Sequence, residues 1–94
     1  MSDSKNNELI LKFLSDNKTY WSYADLEECF LNHFKGLKQQ TLYNLRYQIS
    51  IGNITNWQIS KYQKPILDLC KIVKKKLDDE KEILESINEH QTVN

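Results

Sequence analysis

KQQTLYNLRYQIS, residues 38–50, is the stretch that decides the fold. Leu42, Leu45 and Ile49 recur at i, i+3 and i+7, the spacing of one apolar stripe on a helix. A helix turns by about 100° per residue, so Gln40, Tyr43, Asn44 and Tyr47 point the opposite way, flanked by Gln39, Arg46 and Ser50. That outer face is polar and aromatic and carries no acid. The plainer alternative is an ordinary exposed helix with Tyr43 or Tyr47 turned into the core.

Outward from this helix the chain divides into recognisable elements. Before it, Gly36 is a natural helix stop, and Tyr23, Leu26, Phe30 and Phe34 recur at three and four residues. Ser22 and Asp25 open that helix with capping-box spacing. Further back, Leu9, Ile10, Phe13 and Leu14 predict an amphipathic helix over Asn6 to Asp16, broken at Asn17-Lys18-Thr19. After the central helix, Gly52-Asn53 is a turn signal. The β-branched and aromatic residues of 54–59 suit a short strand. Pro65 fits the first turn of a long helix over about residues 65–88, with a frayed tail after Glu89. Ile66, Cys70, Val73, Leu77, Leu84 and Ile87 follow heptad spacing along it, broken where Glu80 takes a core position. Ile72 and Ile83 lie off that stripe and suggest a second contact surface.

The charge is segregated. From Cys29 to Leu67, 39 consecutive residues contain no Asp or Glu. Residues 1–34 hold three Lys against six acids, 35–76 hold nine basic residues against Asp68 alone, and 77–94 hold Lys81 against six acids. The 13 basic and 13 acidic residues therefore cancel only in the sum. A segment stripped of one sign builds a local potential that suits a polyanion, and phosphates repel nearby carboxylates. The near-neutral isoelectric point of about 6.7 sets the chain apart from strongly basic DNA-binding domains. A solvated surface with uneven charge is the bland alternative.

Other classes of function find little support. Ninety-four residues make one small domain with a thin core. No apolar run approaches the roughly 18 residues of a membrane span, and MSDSKNNE lacks a signal-peptide apolar region. Two cysteines do not make a secreted disulfide framework, so a reducing cytoplasmic setting is expected, in association with nucleoid or plasmid. With glycine only at 36 and 52 there is no phosphate-cradling loop. Cys29 and His33, at i and i+4, offer half a zinc site, to be completed by Cys70 or His90, but Cys29 beside the Leu26/Phe30 stripe reads better as a packed thiol. No nucleophile–base arrangement has a supporting context. Enzyme activity, cofactor and metal are not expected.

The order helix, helix, polar-faced helix, short β wing, long helix predicts a mainly α winged helix–turn–helix. Residues 1–64 would form the DNA-binding domain, and 65–94 a dimerisation helix with its tail. On that layout the third helix is the recognition helix. Gln and Asn bond base edges at two points, and Arg and Tyr reach guanine or phosphates. The expected DNA-binding set is Lys35, Lys38, Gln39, Gln40, Tyr43, Asn44, Arg46, Tyr47, Lys61 and Lys64. The expected dimerisation set is Ile66, Cys70, Val73, Leu77, Leu84 and Ile87. Along the last helix Lys71, Lys74, Lys75 and Lys76 precede Asp78, Asp79, Glu80, Glu82, Glu85 and Glu89, the reverse of what the helix dipole favours. Antiparallel pairing of two copies would set basic against acidic halves. A single solvated helix with pairs such as Lys74–Asp78 is the simpler account.

With TLYNLRYQIS ending the recognition helix, GNITNWQIS as a very short wing, and a long helix from Pro65, the chain resembles the PadR-like winged-helix proteins. It is similar to the small archaeal plasmid-partition adaptors among them, and less closely to archaeal winged-helix chromatin proteins. The resemblance spans nearly the whole chain, is architectural, and rests on no diagnostic motif. It implies a site-specific double-stranded DNA-binding homodimer, acting in transcription regulation or plasmid partition with other segregation or regulatory proteins. The short wing, with only Lys61 and Lys64 near it, departs from the pattern. The alternatives from other classes are a small protein-interaction module, such as a phage or plasmid inhibitor, and a non-specific chromatin protein.

Overall fold

The computed structural model describes residues 2–93, with side chains over 5–87; the side chains of Glu89 and His90 fall outside that range. Among the described residues the chain is mainly helical, in the order α1 Ser2–Asp16, a single 3-10 turn Lys18–Tyr20, α2 Tyr23–His33, α3 Gln39–Ser50, α4 Asn56–Lys61 and α5 Gln63–Val93.

Each of the first three helices begins or ends where its residues dictate. On α1, Asn7 and Leu14 are buried, with Ile10 and Leu11 partly buried between them. Leu9, expected on the apolar face, points outward at 58% exposure. Asn17 closes the helix by donating its side-chain amide to the Phe13 carbonyl at 2.8 Å. The buried Trp21 indole N–H donates to the Leu14 carbonyl at 2.9 Å, so a helix-end acceptor is satisfied inside the core. At the start of α2 the Ser22–Asp25 capping box is complete in both directions, at 3.2 and 3.0 Å. Gly36 follows α2 with φ of +81°, a conformation that side chains rarely adopt. Leu42, Leu45 and Ile49 of α3 are all buried, as their spacing requires.

The expected β wing is not there. No strand occurs among the described residues, and the segment read as a strand over 54–59 becomes α4. Thr55 is its N-cap. The Thr55 hydroxyl accepts from the Gln58 backbone N–H at 3.1 Å, and the Gln58 side-chain carbonyl accepts from the Thr55 N–H at 3.1 Å. Ile59, Tyr62, Ile66, Leu69 and Val73 then form one buried stripe at alternating spacings of three and four, which only a helix presents on one side. Thr55→Ala should cost about 1 kcal/mol, lowering the melting temperature by about 4–8 °C. Thermal denaturation followed by circular dichroism checks this, with Thr55→Ser expected to keep the wild-type value.

The same stripe corrects the assignment along α5. Ile66 and Val73 are buried in the chain's own core, and Cys70 and Leu77 are partly covered by it, so these four face α2 and not a second copy. Ile72, expected on a separate surface, also packs against this core. The division expected at residue 64 runs through a continuous hydrophobic cluster shared by Ile59, Tyr62, Ile66 and Leu69. Polar contacts fasten α5 to the front of the domain: Asp68 to His33 at 2.7 Å, Lys76 to Asp25 at 3.0 Å, and Glu80 to the Tyr20 hydroxyl at 2.6 Å. Glu80 is thus an exposed acceptor for Tyr20, not a core residue. Lys74 makes no ion pair with Asp78 among the described residues; Lys71 approaches Asp68 at 4.0 Å. Desolvation pushes the Asp25 carboxyl up, but its bonds from the Ser22 N–H and Lys76 outweigh that and hold it below the usual carboxylate range.

Beyond Glu80 the helix runs on for about 20 Å at 1.5 Å per residue. This overhang explains a radius of gyration of 16.0 Å and a longest extent of 54 Å, where a compact chain of this length has a radius near 12 Å. Ile83, Leu84 and Ile87 are exposed on it, at 61%, 54% and 48%.

Candidate nucleic-acid interface

The three-helix core fixes α3 by its inner stripe, and its outer face is left open. Gln39, Gln40, Tyr43, Asn44, Arg46 and Tyr47 are all exposed, as are Lys35 and Lys38 in the turn that precedes them. Tyr43 and Tyr47 are 47% and 63% exposed, so neither turns into the core. The outer face is also internally ordered. Gln40 donates its amide to the Asn44 carbonyl oxygen at 3.1 Å, and Gln39 donates to the Tyr43 hydroxyl at 3.3 Å. Pairs at i and i+4 of this kind hold long side chains in register along a helix. Each still leaves polar atoms facing outward: the Gln40 carbonyl and the Asn44 amide among them.

One side of this face meets α2. The Tyr43 ring stacks on Tyr23, with centroids 4.5 Å apart and planes at 23°. Tyr23 in turn donates its hydroxyl to Glu27 at 3.1 Å, and burial followed by that carboxylate pushes the Tyr23 hydroxyl above its ordinary pKa. Glu27 therefore approaches the flank of α3, although the 29–67 segment holds no acid of its own. Arg46 makes no hydrogen bond or ion pair among the described residues.

The other side of α3 meets α4 across a cleft of about 510 Å³, lined by Asn44, Tyr47 and Gln48 from α3 and by Gln58 and Tyr62 beyond. Asn53 and Ile51, in the connecting turn, complete its rim. Trp57 stands out at 69% exposure, with the Lys61 ammonium 5.1 Å from its ring centroid and 5.3 Å from that of Tyr62. A cation over aromatic faces is held without being neutralised. Lys61 and Lys64 rim a smaller cavity of about 380 Å³ beside His33 and Phe34. They therefore stand at the C-terminal end of α2, where Lys35 follows Phe34 in the chain. Asp68, the single acid of residues 35–76, is engaged there by His33.

The cysteines show no reactive character. Burial, then the nearby Asp68, Glu28 and Asp25, pushes the Cys29 thiol up to about 11. Burial does the same to Cys70, to about 11. Both are thiols, not thiolates, at neutral pH. Among the described residues no group of three His, Cys, Asp or Glu side chains is placed to hold a metal ion, and no helix is long and apolar enough to cross a membrane.

Sequence reasoning anticipated the residues of α3 and overlooked the cleft beside it. Gln48, Asn53 and Gln58 were legible only as a run of carboxamides until α4 formed and turned them toward Asn44. No protein-family model matches the chain, and no curated protein or solved structure matches it.

Proposed function

We propose that the chain is a homodimeric helix–turn–helix protein that binds duplex DNA through the outer face of α3. The observation that carries this reading is that face itself: uncovered, free of acids, and presenting Gln40, Asn44 and Tyr47 between exposed basic residues. Gln40 and Asn44 would read base edges in the major groove, with Gln39, Tyr43, Arg46 and Tyr47 contacting guanine or the backbone. Lys35, Lys38, Lys61 and Lys64 would lie along phosphates. The PadR-like resemblance belongs to the same proposal, with α4 standing where those proteins carry a wing. Transcription regulation and plasmid partition are the two roles that this DNA binding would serve.

The dimer would form through the overhang of α5, where Ile83, Leu84 and Ile87 are exposed. An antiparallel register that laid basic half on acidic half would set these three over Lys71, Lys74 and Lys75, whose side of α5 is polar. Overhang against overhang matches apolar with apolar instead. Two recognition helices would then address half-sites about one helical turn apart. Leu84→Asp is expected to convert the dimer to a monomer in light scattering after size exclusion, with the helical circular-dichroism signal retained. A wild-type chain that elutes as a monomer at all accessible concentrations contradicts the dimer.

The test of DNA reading is site selection from random duplexes, followed by anisotropy titration. Gln40→Ala should weaken the selected site by about 1–3 kcal/mol and leave random duplex unaffected. Equal binding of the selected site by Gln40→Ala rules out α3 as the reading helix.

The exposed Tyr47, Ile51 and Trp57 around the cleft favour a second reading, a protein-interaction module, because aromatics dominate such surfaces. It requires weak, non-saturable DNA binding and a saturable protein partner abolished by Trp57→Ala.

A further inference from the structure

The cleft between α3 and α4 has a chemistry that base-edge reading by α3 does not use. Four carboxamide residues, Asn44, Gln48, Asn53 and Gln58, line a space of about 510 Å³ together with Tyr47 and Tyr62, and no charged residue lines it. The structure also sets which amide atoms remain available. The Gln58 carbonyl oxygen is occupied by the Thr55 N–H and hydroxyl, at 3.1 and 3.2 Å, which leaves its NH₂ group to donate. The Asn44 carbonyl oxygen is occupied by Gln40, which leaves its NH₂ group as well. Gln48 and Asn53 have no side-chain hydrogen bond among the described residues, so each offers a carbonyl and an NH₂. One wall is the Tyr62 ring, held rigid between Phe30 and Phe34 at 5.3 Å from each.

We propose that this cleft is a binding site for a nucleobase. Paired donors and acceptors in one plane are what a carboxamide bonds at two points, adenine best of all through its 6-amino group and N7. Bases taken out of a stack are held in the same way, by edge hydrogen bonds between aromatic or apolar walls. An uncharged lining excludes a site built for phosphate, and the volume lies within the range of small-molecule sites. The base has two possible sources with one chemistry: a free nucleoside, or an unpaired base of DNA already held against α3. The second source rests on the DNA-binding reading, and the first does not. Because Asn44 and Tyr47 belong both to the cleft and to the outer face of α3, a free nucleoside seated there would compete with DNA.

The probe is adenosine, titrated into the ¹⁵N-labelled full chain and followed by the side-chain amide resonances of Asn and Gln. The result expected is saturable shifts of the Gln48, Asn53 and Gln58 amides. The affinity should be weakened about tenfold or more in Asn53→Ala and again in Gln48→Leu. Asn53 is exposed and in the turn, so its variant keeps the fold even if a change at Gln48 disturbs it. A second arm compares a fully paired duplex with one carrying a single unpaired adenine. Tighter binding of the bulged duplex, lost in Asn53→Ala, assigns the base to DNA; adenosine binding with no bulge preference assigns it to a free nucleoside. Absence of saturable shifts with adenosine together with equal affinity for the two duplexes overturns the proposal. Paired-duplex binding retained in that case leaves the DNA reading standing on its own.

Discussion

Phe30→Ala is expected to lower the melting temperature by roughly 15–30 °C. Phe30 is fully buried on α2, beside Leu26 and Cys29, and its ring meets Tyr62 with centroids 5.3 Å apart. Truncating such a side chain removes its transfer free energy and leaves a cavity, together about 3–5 kcal/mol. The loss is large here because the chain is small. A domain of this length is stable by roughly 5–14 kcal/mol in all, and this position joins α2 to the α4–α5 stripe. Tyr62 would also lose one of the two rings that fix it, so the cleft beside α3 should loosen before the chain unfolds. Thermal denaturation monitored by circular dichroism gives the answer. A change below 1 kcal/mol would mean that Phe30 is not at the centre of the core.

Replacing Lys35, Lys38, Lys61 and Lys64 together by Ala should weaken binding to any duplex by roughly a thousandfold or more at 0.1 M salt. Each phosphate contact contributes about −0.9 to the slope of log affinity against log salt, so the slope should become shallower by about 3.6. The four residues are exposed, and none is in an ion pair among the described residues, so the variant should fold. Lys61 alone gives up a contact, its place over Trp57 and Tyr62, worth about 0.5–1 kcal/mol at an exposed site. Sequence preference should survive where binding is still measurable, because phosphate contacts position a protein and do not read bases. An unchanged slope would place the DNA elsewhere on the molecule.

How much was legible in the chain varies from element to element. The Ser22–Asp25 box and the Leu42/Leu45/Ile49 stripe could be read directly, because both are local patterns with one structural solution. α4 was legible in principle and misread. The segment 54–59 has strand-like residue types, yet Thr55 and Gln58 carry a second capping box, and Ile59 begins a helical stripe that ends at Val73. Six residues were weighed by propensity where the pattern extended over fifteen. The heptad seam failed for another reason: a stripe says which side of α5 is apolar, not whether the chain's own α2 or a second copy covers it. Only the point where the domain runs out, near Glu80, separates Ile66 and Val73 from Leu84 and Ile87. Among the site residues, exposure followed from helical phase. The approach of Glu27 through Tyr23 did not, because it depends on how α2 and α3 stack their rings.

The most direct test is a titration of the ¹⁵N-labelled chain with a paired duplex, mapping every backbone amide. The account predicts the largest shifts in Gln39–Tyr47 of α3, with Lys35, Lys38, Lys61 and Lys64 beside them, and little change beyond Glu80. Shifts confined to the α5 overhang, or none at low salt, would contradict it.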